Sequence, residues 1–373
     1  MHEGARMSFG PLLLGGSSPL LGFGAWAVGG AGWGGDPGDE AQRLAAVQVA
    51  LERGVTFFDT APTYGDGASE RLLGKALKSS RDRVAIATKV GPRDDPQRSL
   101  EDSLRRLASD YVDLVQLHEA QDRWEWQVEK LHGLVEAGKA RALGLCNATH
   151  HQIRRALEIA PVTSYQGPYN LFDRDVEERE LPLCRERELA FLAYRPLASG
   201  LLAGSYDDPP AFAPRDHRAG IYWFKGREFA RRHGVIERLR PLARHEGVTL
   251  PVFALRWLLA RAGVHIVLAG ARSPAQVEEN LTAQVGPLPA EVVAAVDDIV
   301  AKAFRLPRAL PRATREAETW GPRERFIVES LDGTRTAEAV AAEWTDRGEQ
   351  PMVAAQVKVF ADQLLDRGLA GEP

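Results

Sequence analysis

The sequence predicts an α/β fold in which eight parallel strands, each followed by a helix, close into a (β/α)8 barrel. Strand-like and helix-like segments alternate at intervals of roughly 20–30 residues, the spacing of βα units. The strand-like runs are apolar without clean alternation, as expected for parallel strands covered on both faces. Three successive runs also end on Asp59, Lys89 and His118, side chains suited to proton chemistry. Barrel enzymes keep their chemistry at the carboxyl edge of the strands, so an active site is predicted there.

The first predicted strand is Gly22–Ala27 and the last is His265–Ala269. The strands between them are Thr56–Phe58, Val84–Thr88, Val112–Leu117, Ala142–Cys146, Thr163–Gln166 and Ala190–Tyr194. Amphipathic helices are predicted in the intervals, for example at Glu40–Arg53, Gln97–Leu107 and Trp124–Ala137. A doubly wound open sheet is the rival fold. It is disfavoured because no Gly-x-Gly-x-x-Gly pattern follows the first strand and opens a helix.

Two irregular segments are predicted at the ends of the barrel. Leu12–Gly16 and Ser17–Gly22 are expected to form a short hairpin at its amino-terminal end. The segment from Gly204 to Gly226 follows the seventh strand, so it should cover the carboxyl-terminal end of the barrel, where the active site is predicted. Its Tyr222-Trp223-Phe224 run is expected to be exposed.

The chain is longer than one barrel requires, with 373 residues against roughly 250 for a typical barrel domain. We therefore predict a barrel at residues 1–305, a linker at 306–322 and a small, mainly helical C-terminal module at 323–373. Helices are expected in the module near Phe326–Leu331, Ala337–Trp344 and Met352–Arg367.

Composition restricts the class of protein. Apolar residues make up 44% and charged residues 26%, which is typical of a globular chain. The net charge of −4 with mixed signs gives no reason to expect nucleic acid or an anionic membrane as a partner. No apolar run approaches the ~18 residues of a membrane span, and no secretory signal pattern opens the chain. The only cysteines, Cys146 and Cys184, provide no disulfide framework, so the reducing cytoplasm is the expected compartment.

The side chains at the strand ends form a coherent set for donating a proton to a carbonyl oxygen. A phenol such as that of Tyr64 has a pKa of about 10 and is a poor acid at neutral pH. A lysine cation about 4 Å away favours the phenolate by roughly 4 kcal/mol at an effective dielectric of about 20, or about three pKa units. Lys89 is therefore predicted to lower the pKa of Tyr64, with Asp59 orienting the ammonium group. His118 would hydrogen-bond the substrate oxygen or relay the proton.

The longest motif around this set runs from Asp59 to Gly74 and reads Asp-Thr-Ala-Pro-Thr-Tyr-Gly-Asp-Gly-Ala-Ser-Glu-Arg-Leu-Leu-Gly. It resembles the signature of the aldo-keto reductase family. Further matching segments follow in the family's order over most of the chain. They are Ala87–Lys89, Asp113–His118, Gly144–Asn147, Gln166–Leu171, Tyr194–Gly200 and Ala269–Ser273, followed by Gln276, Glu279 and Asn280.

The resemblance implies a (β/α)8 barrel that reduces a small aldehyde or ketone with NADPH. By this resemblance, Tyr64 is the general acid, and Lys89 with Asp59 tunes it. His118 helps to position the carbonyl oxygen.

The resemblance also implies an NADP(H) site along the same edge. Asn147 and Gln166 would hold the nicotinamide carboxamide, and Tyr194 would stack on the ring. Arg272 would meet the 2′-phosphate. The other positions implied for the cofactor are Arg195, Pro196, Leu197, Gly270, Gln276, Glu279 and Asn280.

Two positions depart from the family pattern. Cys146 stands where the family often has a serine, and a thiol is a weaker donor than a hydroxyl. Arg195 replaces a common serine or glycine and adds a fixed charge where phosphates would lie. For the substrate, the candidate contacts are Trp33, Tyr222 and Trp223. No metal site is predicted.

The C-terminal segment lies outside the barrel resemblance. Ser330–Thr336, an amphipathic helix and Leu364–Leu369 are weakly similar to small winged-helix modules of the PqqD type, which often bind a peptide or partner. The other interpretation is a helical appendage packed on the barrel.

Three functions remain open from the sequence. The first is an NADPH-dependent carbonyl reductase, which the intact catalytic set favours. The second is a cofactor-binding regulatory protein with little turnover. The third is redox-neutral elimination or isomerisation by the same tyrosine and lysine, which nothing in the sequence separates from the first.

Overall fold

A computed structural model describes residues 20–30, 32, 40–304, 308–309, 320, 322–332, 334–346, 354–366 and 370–371. The chain forms two compact units, residues 1–293 and 294–373. The predicted linker at 306–322 and the predicted hairpin strand Leu12–Gly16 lie mostly or entirely outside the described residues. The domain boundaries therefore stay a prediction.

Eight parallel strands close into a barrel in chain order, and the eighth strand pairs with the first. This arrangement confirms the predicted fold class. The strands are β1 Leu20–Gly24, β2 Phe57–Asp59, β3 Ala85–Val90, β4 Leu114–Leu117, β5 Leu143–Cys146, β6 Val162–Pro168, β7 Ala190–Tyr194 and β8 Val264–Gly270.

Helices follow these strands along the chain. They are α1 Glu40–Glu52, α2 Ala68–Leu77, α3 Pro96–Leu107, α4 Trp124–Glu136, α5 His150–Ile159, α6 Glu180–Glu186, α7 Gly226–His245, α8 Leu250–Leu259, α9 Pro274–Leu281 and α10 Ala290–Phe304. None of the helices in the described ranges is both long and apolar enough to cross a membrane.

Side-chain caps fix where several helices begin. Asp95 accepts a hydrogen bond from the backbone of α3 ahead of Pro96, and Ser273 does the same for α9 ahead of Pro274. Thr149 forms a reciprocal capping box at the start of α5. Such caps satisfy backbone N–H groups that have no partner within the helix, so the local sequence is sufficient to set these bounds.

The inward faces of the strands form an apolar layer with a polar layer above it. The apolar layer includes Phe57, Ala87 and Leu114, all buried. Side chains two residues apart on a strand point to the same face, so Asp59, Lys89 and Gln116 lie one step nearer the carboxyl edge. The barrel therefore holds its polar groups at one end.

Several predicted strands differ from the observed ones at their ends, and β1 and β3 show why. β1 begins at Leu20, so residues 20–22 belong to the barrel and not to a separate hairpin, and Ala27 opens a short 3-10 helix, Ala27–Gly29. β3 continues through Lys89 to Val90 because these residues pair with Gln116 and Leu117 of β4. Lys89 thus lies inside a strand, although a charged residue after an apolar run indicated the strand's end.

The segment between β7 and α7 corrects a second expectation. Trp223 and Phe224 are buried, with exposed fractions of 5% and 2%, while Tyr222 is 45% exposed. Trp223 is covered because its ring packs near two guanidinium groups, 5.4 Å from that of Arg195 and 5.6 Å from that of Arg232. The prediction of an exposed aromatic run therefore holds for Tyr222 alone.

The C-terminal unit is mainly helical, as predicted. Its described residues include 294–304 of α10 and three further helices, α11 Pro322–Ser330, α12 Ala337–Asp346 and α13 Ala354–Asp366. Arg308–Ala309 (β9) pairs antiparallel with Ala370–Gly371 (β10). Buried apolar side chains hold it together, including Phe326 and Trp344, whose rings lie 5.1 Å apart. The similarity to winged-helix modules stays a prediction.

Deleting residues 323–373 tests whether the tail is an independent module. Because domain boundaries fall in linker-like segments, we expect a folded barrel with unchanged NADPH affinity, measured by fluorescence titration. Insoluble protein or weakened binding would show that the tail is part of the barrel's packing. Loss of activity on the natural substrate alone would indicate that the tail recognises a substrate or partner.

Candidate active site

A buried ion pair lies at the carboxyl edge of β2 and β3. Lys89 Nζ donates to Asp59 Oδ1 at 2.6 Å and to the carbonyl oxygen of Thr60 at 3.0 Å. Both side chains are almost fully buried. The structure thus brings together two residues that lie 30 positions apart in the chain.

Tyr64 and His118 border this ion pair, so the four predicted residues converge. Lys89 Nζ lies 5.0 Å from the centre of the Tyr64 ring, and the His118 ring meets that ring edge-on at 6.1 Å. The turn after β2 positions Tyr64 through Gly65, which has a φ of +62°. A Cβ at residue 65 would lie 2.1 Å from the carbonyl oxygen of Gly29, so only glycine fits this close approach.

The pKa of Tyr64 is raised, although the nearby Lys89 predicted a lowered value. Burial raises the pKa of Tyr64 well above its ordinary value, and the opposing influence of the Lys89 cation is smaller. Burial alone would lower the pKa of Lys89, but Asp59 and Tyr64 reverse the effect and raise it. Without a ligand, Tyr64 is therefore a neutral phenol beside a charged lysine.

His118 is a neutral imidazole at physiological pH. Burial, aided by the Lys89 cation, lowers the pKa of His118 to about 3. A neutral ring donates a hydrogen bond from one nitrogen and accepts at the other. His118 can therefore orient an oxygen atom, whereas Tyr64 retains a proton to give.

The depressed pKa of His118 makes stability depend on pH. Between about 3 and the ordinary value of about 6.5, the unfolded chain binds a proton that the folded protein does not. Stability therefore falls as the pH falls through this window, by up to about 1.4 kcal/mol per pH unit. We expect the unfolding free energy of His118→Gln, from urea titrations at several pH values, to fall less steeply. The exposed His245→Gln is the control, and equal slopes for wild type and His118→Gln would contradict the assignment.

The second oxygen of Asp59 is held by two amides. Gln116 Nε2 lies 3.2 Å and Gln166 Nε2 2.8 Å from Asp59 Oδ2. The role of Gln116 is not apparent from the resemblance to the family or from the strand-end pattern. The available signal was a polar residue in the middle of an apolar strand, because such a side chain needs a buried partner.

The predicted carboxamide-binding residues lie beside these groups. Asn147 follows β5 and donates to the carbonyl oxygen of His118 at 3.0 Å. Its Oδ1 accepts from the Tyr194 hydroxyl at 2.8 Å. Asn147, Gln166 and Tyr194 are thus connected to the catalytic candidates through hydrogen bonds at one edge of the barrel.

A cleft of about 360 Å³ opens at this edge. Asp59 and Tyr64 lie at one part of its wall. The predicted cofactor residues in the wall are Tyr194, Arg195, Pro196, Leu197, Gly270, Arg272, Gln276, Glu279 and Asn280. A continuous surface therefore leads from the proton-donor candidates to the segment around α9.

The loop after β7 gives this wall an unusual backbone. Ala198, Ser199 and Gly200 have φ values of +49°, +56° and +93°. Ser199 is buried, with an exposed fraction of 5%, and its Oγ has no hydrogen-bond partner among the described residues. An unsatisfied buried hydroxyl is costly, so this atom is suited to a ligand in the cleft.

The fixed charge of Arg195 on the cleft wall is paired with an acidic side chain. Its guanidinium lies 3.1 Å from Asp173 Oδ2 and 5.4 Å from the centre of the Tyr194 ring. Arg195 therefore supports the orientation of Tyr194 as well as adding positive charge to the wall.

The candidate substrate residues are not gathered together. Trp33 lies outside the described residues, and neither Tyr222 nor Trp223 belongs to the cleft lining of the described part of the chain. Trp26 does line it, and its ring lies 4.4 Å from that of His217. The backbone N–H of His217 donates to the carbonyl oxygen of Gly32 at 2.8 Å. The loops after β1 and β7 thus meet at the opening of the cleft. This contact was not predicted, because the two loops lie far apart in the sequence.

Comparison with known proteins identifies relatives along the barrel. The model of the "Aldo/keto reductase family" matches residues 20–301. Aldo-keto reductase YhdN of Bacillus subtilis is 36% identical over 280 residues, which are 69% of this chain and 82% of that protein. The NADH-specific methylglyoxal reductase of Escherichia coli is 32% identical over 302 residues, covering 70% of this chain and 89% of that enzyme.

Solved structures agree with this assignment. Glycerol dehydrogenase AKR11B4 from Gluconobacter oxydans superposes with a TM-score of 0.70 at 33% identity, covering 78% of this chain and 94% of that one. An aldo/keto reductase from Klebsiella pneumoniae, solved with NADP and acetate, has a TM-score of 0.62 at 28% identity, with coverage of 78% and 94%. The matched barrel, its strand order and the extent of sequence identity lead to one conclusion: the chain belongs to the aldo/keto reductase family and is an oxidoreductase of that family.

Proposed function

We propose that this oxidoreductase reduces an aldehyde or ketone to an alcohol with NADPH and that Tyr64 is its general acid. The observation that carries the proposal is the buried Asp59–Lys89 ion pair beside Tyr64, at the wall of a cleft large enough for ligands. A buried ion pair is expensive to maintain, and perturbed titrating groups in a cleft are typical of active sites.

In the proposed mechanism, each of the four residues has one task. NADPH, when bound, supplies a hydride for the carbonyl carbon. His118, neutral at pH 7, donates a hydrogen bond to the carbonyl oxygen. Tyr64 gives its proton to that oxygen as negative charge develops there. Lys89 stabilises the phenolate that remains, and Asp59 holds Lys89 in place.

The residues of the cleft fit a dinucleotide. The unsatisfied Oγ of Ser199 and the positive charge of Arg195 suit the oxygens of a pyrophosphate. We propose that Asn147 and Gln166 bind the carboxamide and that Tyr194 stacks on the nicotinamide. The Klebsiella pneumoniae relative, solved with NADP, supports the choice of cofactor class.

Loss of NADPH absorbance across a panel of aldehydes and ketones tests the proposed reaction. The panel should include methylglyoxal and glyceraldehyde, because relatives carry the names methylglyoxal reductase and glycerol dehydrogenase. Turnover of any member supports carbonyl reduction. Tight NADPH binding without turnover would favour a regulatory protein, and substrate conversion without NADPH loss would favour redox-neutral chemistry.

Preference for NADPH over NADH is proposed to depend on Arg272. This residue lines the cleft, and its backbone N–H donates to Gln276 Oε1 at 2.8 Å. A guanidinium binds phosphate through paired hydrogen bonds. We expect Arg272→Ala to weaken NADPH binding and to leave the NADH dissociation constant nearly unchanged. The exposed Arg98→Ala is the control. If Arg272→Ala weakened the binding of NADPH and NADH equally, the proposed preference would be refuted. This result matters because one relative is NADH-specific.

We propose the cytoplasm as the compartment of this protein. Cys146 and Cys184 are free and buried, which is compatible with the reducing cytoplasm. A small carbonyl compound is the proposed substrate. A peptide or protein partner for the C-terminal module is supported only by its similarity to winged-helix modules, and the tail deletion tests it.

A further inference from the structure

Gln116 is fully buried in β4 and lies within hydrogen-bond distance of three groups of the polar layer. Its Nε2 donates to Asp59 Oδ2 at 3.2 Å. Its Oε1 accepts from Cys146 Sγ at 3.4 Å and from Gln166 Nε2 at 3.4 Å. The side chain thus connects the ion pair to β5 and β6.

These partners determine which way the amide faces. A carboxylate only accepts hydrogen bonds, whereas a thiol and an amide nitrogen donate them. Because Cys146 and Gln166 present donors to the Oε1 atom, the NH2 group must face Asp59. A reversed amide would place its oxygen against the carboxylate and leave that atom without a donor.

The Gln116 side chain occupies a closely packed position in this layer. Gln116 pairs with Gly144 across β4 and β5 and with Lys89 across β3 and β4. A Cβ at residue 144 would lie 3.1 Å from Gln116 Cγ and 2.3 Å from Ser164 Oγ. Glycine at 144 therefore makes room for the side chain, and close packing then holds it.

We propose that Gln116 is a positioning residue of the proton-donor site. Its N–H fixes the Asp59 carboxylate so that Oδ1 stays on Lys89. It also takes up part of the carboxylate charge, so that more of the Lys89 charge acts on Tyr64. This inference rests on the proposed function and adds to it a residue that touches neither substrate nor cofactor.

The pH profile of alcohol oxidation with NADP⁺ tests the proposal. In that direction the alcohol carbon loses a hydride to NADP⁺, and its hydroxyl proton passes to the Tyr64 phenolate, so the rate rises with pH as the phenolate fraction grows, even below the raised pKa of the phenol. Because Asp59 disfavours the phenolate and Lys89 favours it, Gln116→Leu should shift the profile to higher pH. Its kcat at neutral pH should fall about tenfold or more, the ratio for one lost hydrogen bond to a charged group.

Two further variants separate positioning from packing. Gln116→Glu keeps the size of the side chain, and its protonated carboxyl can still donate to Asp59. It should follow the wild-type profile at low pH and lose activity as the pH rises, because adjacent carboxylates repel each other. Ser164→Ala removes a buried hydroxyl of the same layer that has no partner among the described residues, and it should leave the profile unchanged.

Wild-type profiles for Gln116→Leu and Gln116→Glu would overturn the proposal. If the wild-type protein turns over no carbonyl or alcohol, the proposed function fails, and crystal structures decide the positioning role instead. In Gln116→Leu, or in Gln116→Glu if the first variant does not fold, the Asp59 carboxylate should rotate away from its contact with Lys89. An unmoved carboxylate would overturn the inference independently of activity.

Discussion

Tyr64→Phe should abolish carbonyl reduction while NADPH binding stays nearly intact. Tyr64 is the proposed acid because burial holds its pKa high and keeps it protonated at neutral pH, whereas His118 is already neutral and the charged Lys89 is held by Asp59. General acid catalysis contributes about 10²–10⁴-fold, so kcat should fall by that factor. Steady-state kinetics and fluorescence titration of NADPH measure the two quantities.

Tyr206→Phe is the matched control for this change. Tyr206 lines the same cleft, but its hydroxyl lies 3.4 Å from an Arg218 nitrogen and not beside Lys89. Its kcat should stay close to that of the wild type. Retention of more than about a tenth of wild-type kcat in Tyr64→Phe would exclude the phenol as the acid, because the loss would be smaller than any typical acid contributes.

Lys89→Met should be the most destabilising single change in the site. It leaves Asp59 charged and buried with only neutral donors, and breaking a buried ion pair in this way costs about 3–5 kcal/mol. Urea unfolding measures this loss. Reduction should also fall by at least about 10²-fold, because no cation remains to stabilise the phenolate.

The double variant Lys89→Met/Asp59→Asn separates charge from packing. Removing both charges should recover much of the stability lost in Lys89→Met, because no unpaired charge is left buried. It should not recover the activity. The exposed Lys78→Met should change stability by no more than about 0.5 kcal/mol. If Lys89→Met were as stable as Lys78→Met, the ion pair would have no structural importance.

The sequence is sufficient to predict the barrel, whereas the convergence of the four catalytic candidates is shown only by the structure. Asp59 and His118 end strands whose carboxyl ends must share one edge of a parallel barrel. The position of Lys89 within β3 is not predictable from the apolar run, because strand pairing with Gln116 extends the strand past a charged residue. In the sequence Gln116 is distinguished only as a polar residue within an apolar run, and its importance comes from partners on three other strands.

Electrostatics is the least predictable part of the site. The distance between Tyr64 and Lys89 suggests a lowered pKa, yet burial, which depends on every surrounding element, reverses the direction. The same reason explains Trp223, whose covering by Arg195 and Arg232 depends on contacts between distant segments. The spacing of residues in the sequence shows which side chains are neighbours along one helix or strand. It does not show how far the folded protein shields a side chain from water.

The left-handed backbone conformation of Ala198, Ser199 and Gly200 implies a trade-off between thermal stability and ligand affinity. A non-glycine residue in that region costs on the order of 1–3 kcal/mol, and the folded chain bears this cost before any ligand arrives. The proposed cofactor would then meet a loop that needs little reorganisation. Ser199→Gly would relieve the backbone strain of the protein before a ligand binds. It would also remove the Ser199 hydroxyl and make the loop more flexible. Attempts to raise the thermal stability of the enzyme should therefore avoid substitutions in this loop. Relieving its strain would stabilise the folded protein but would lower the affinity for the ligand.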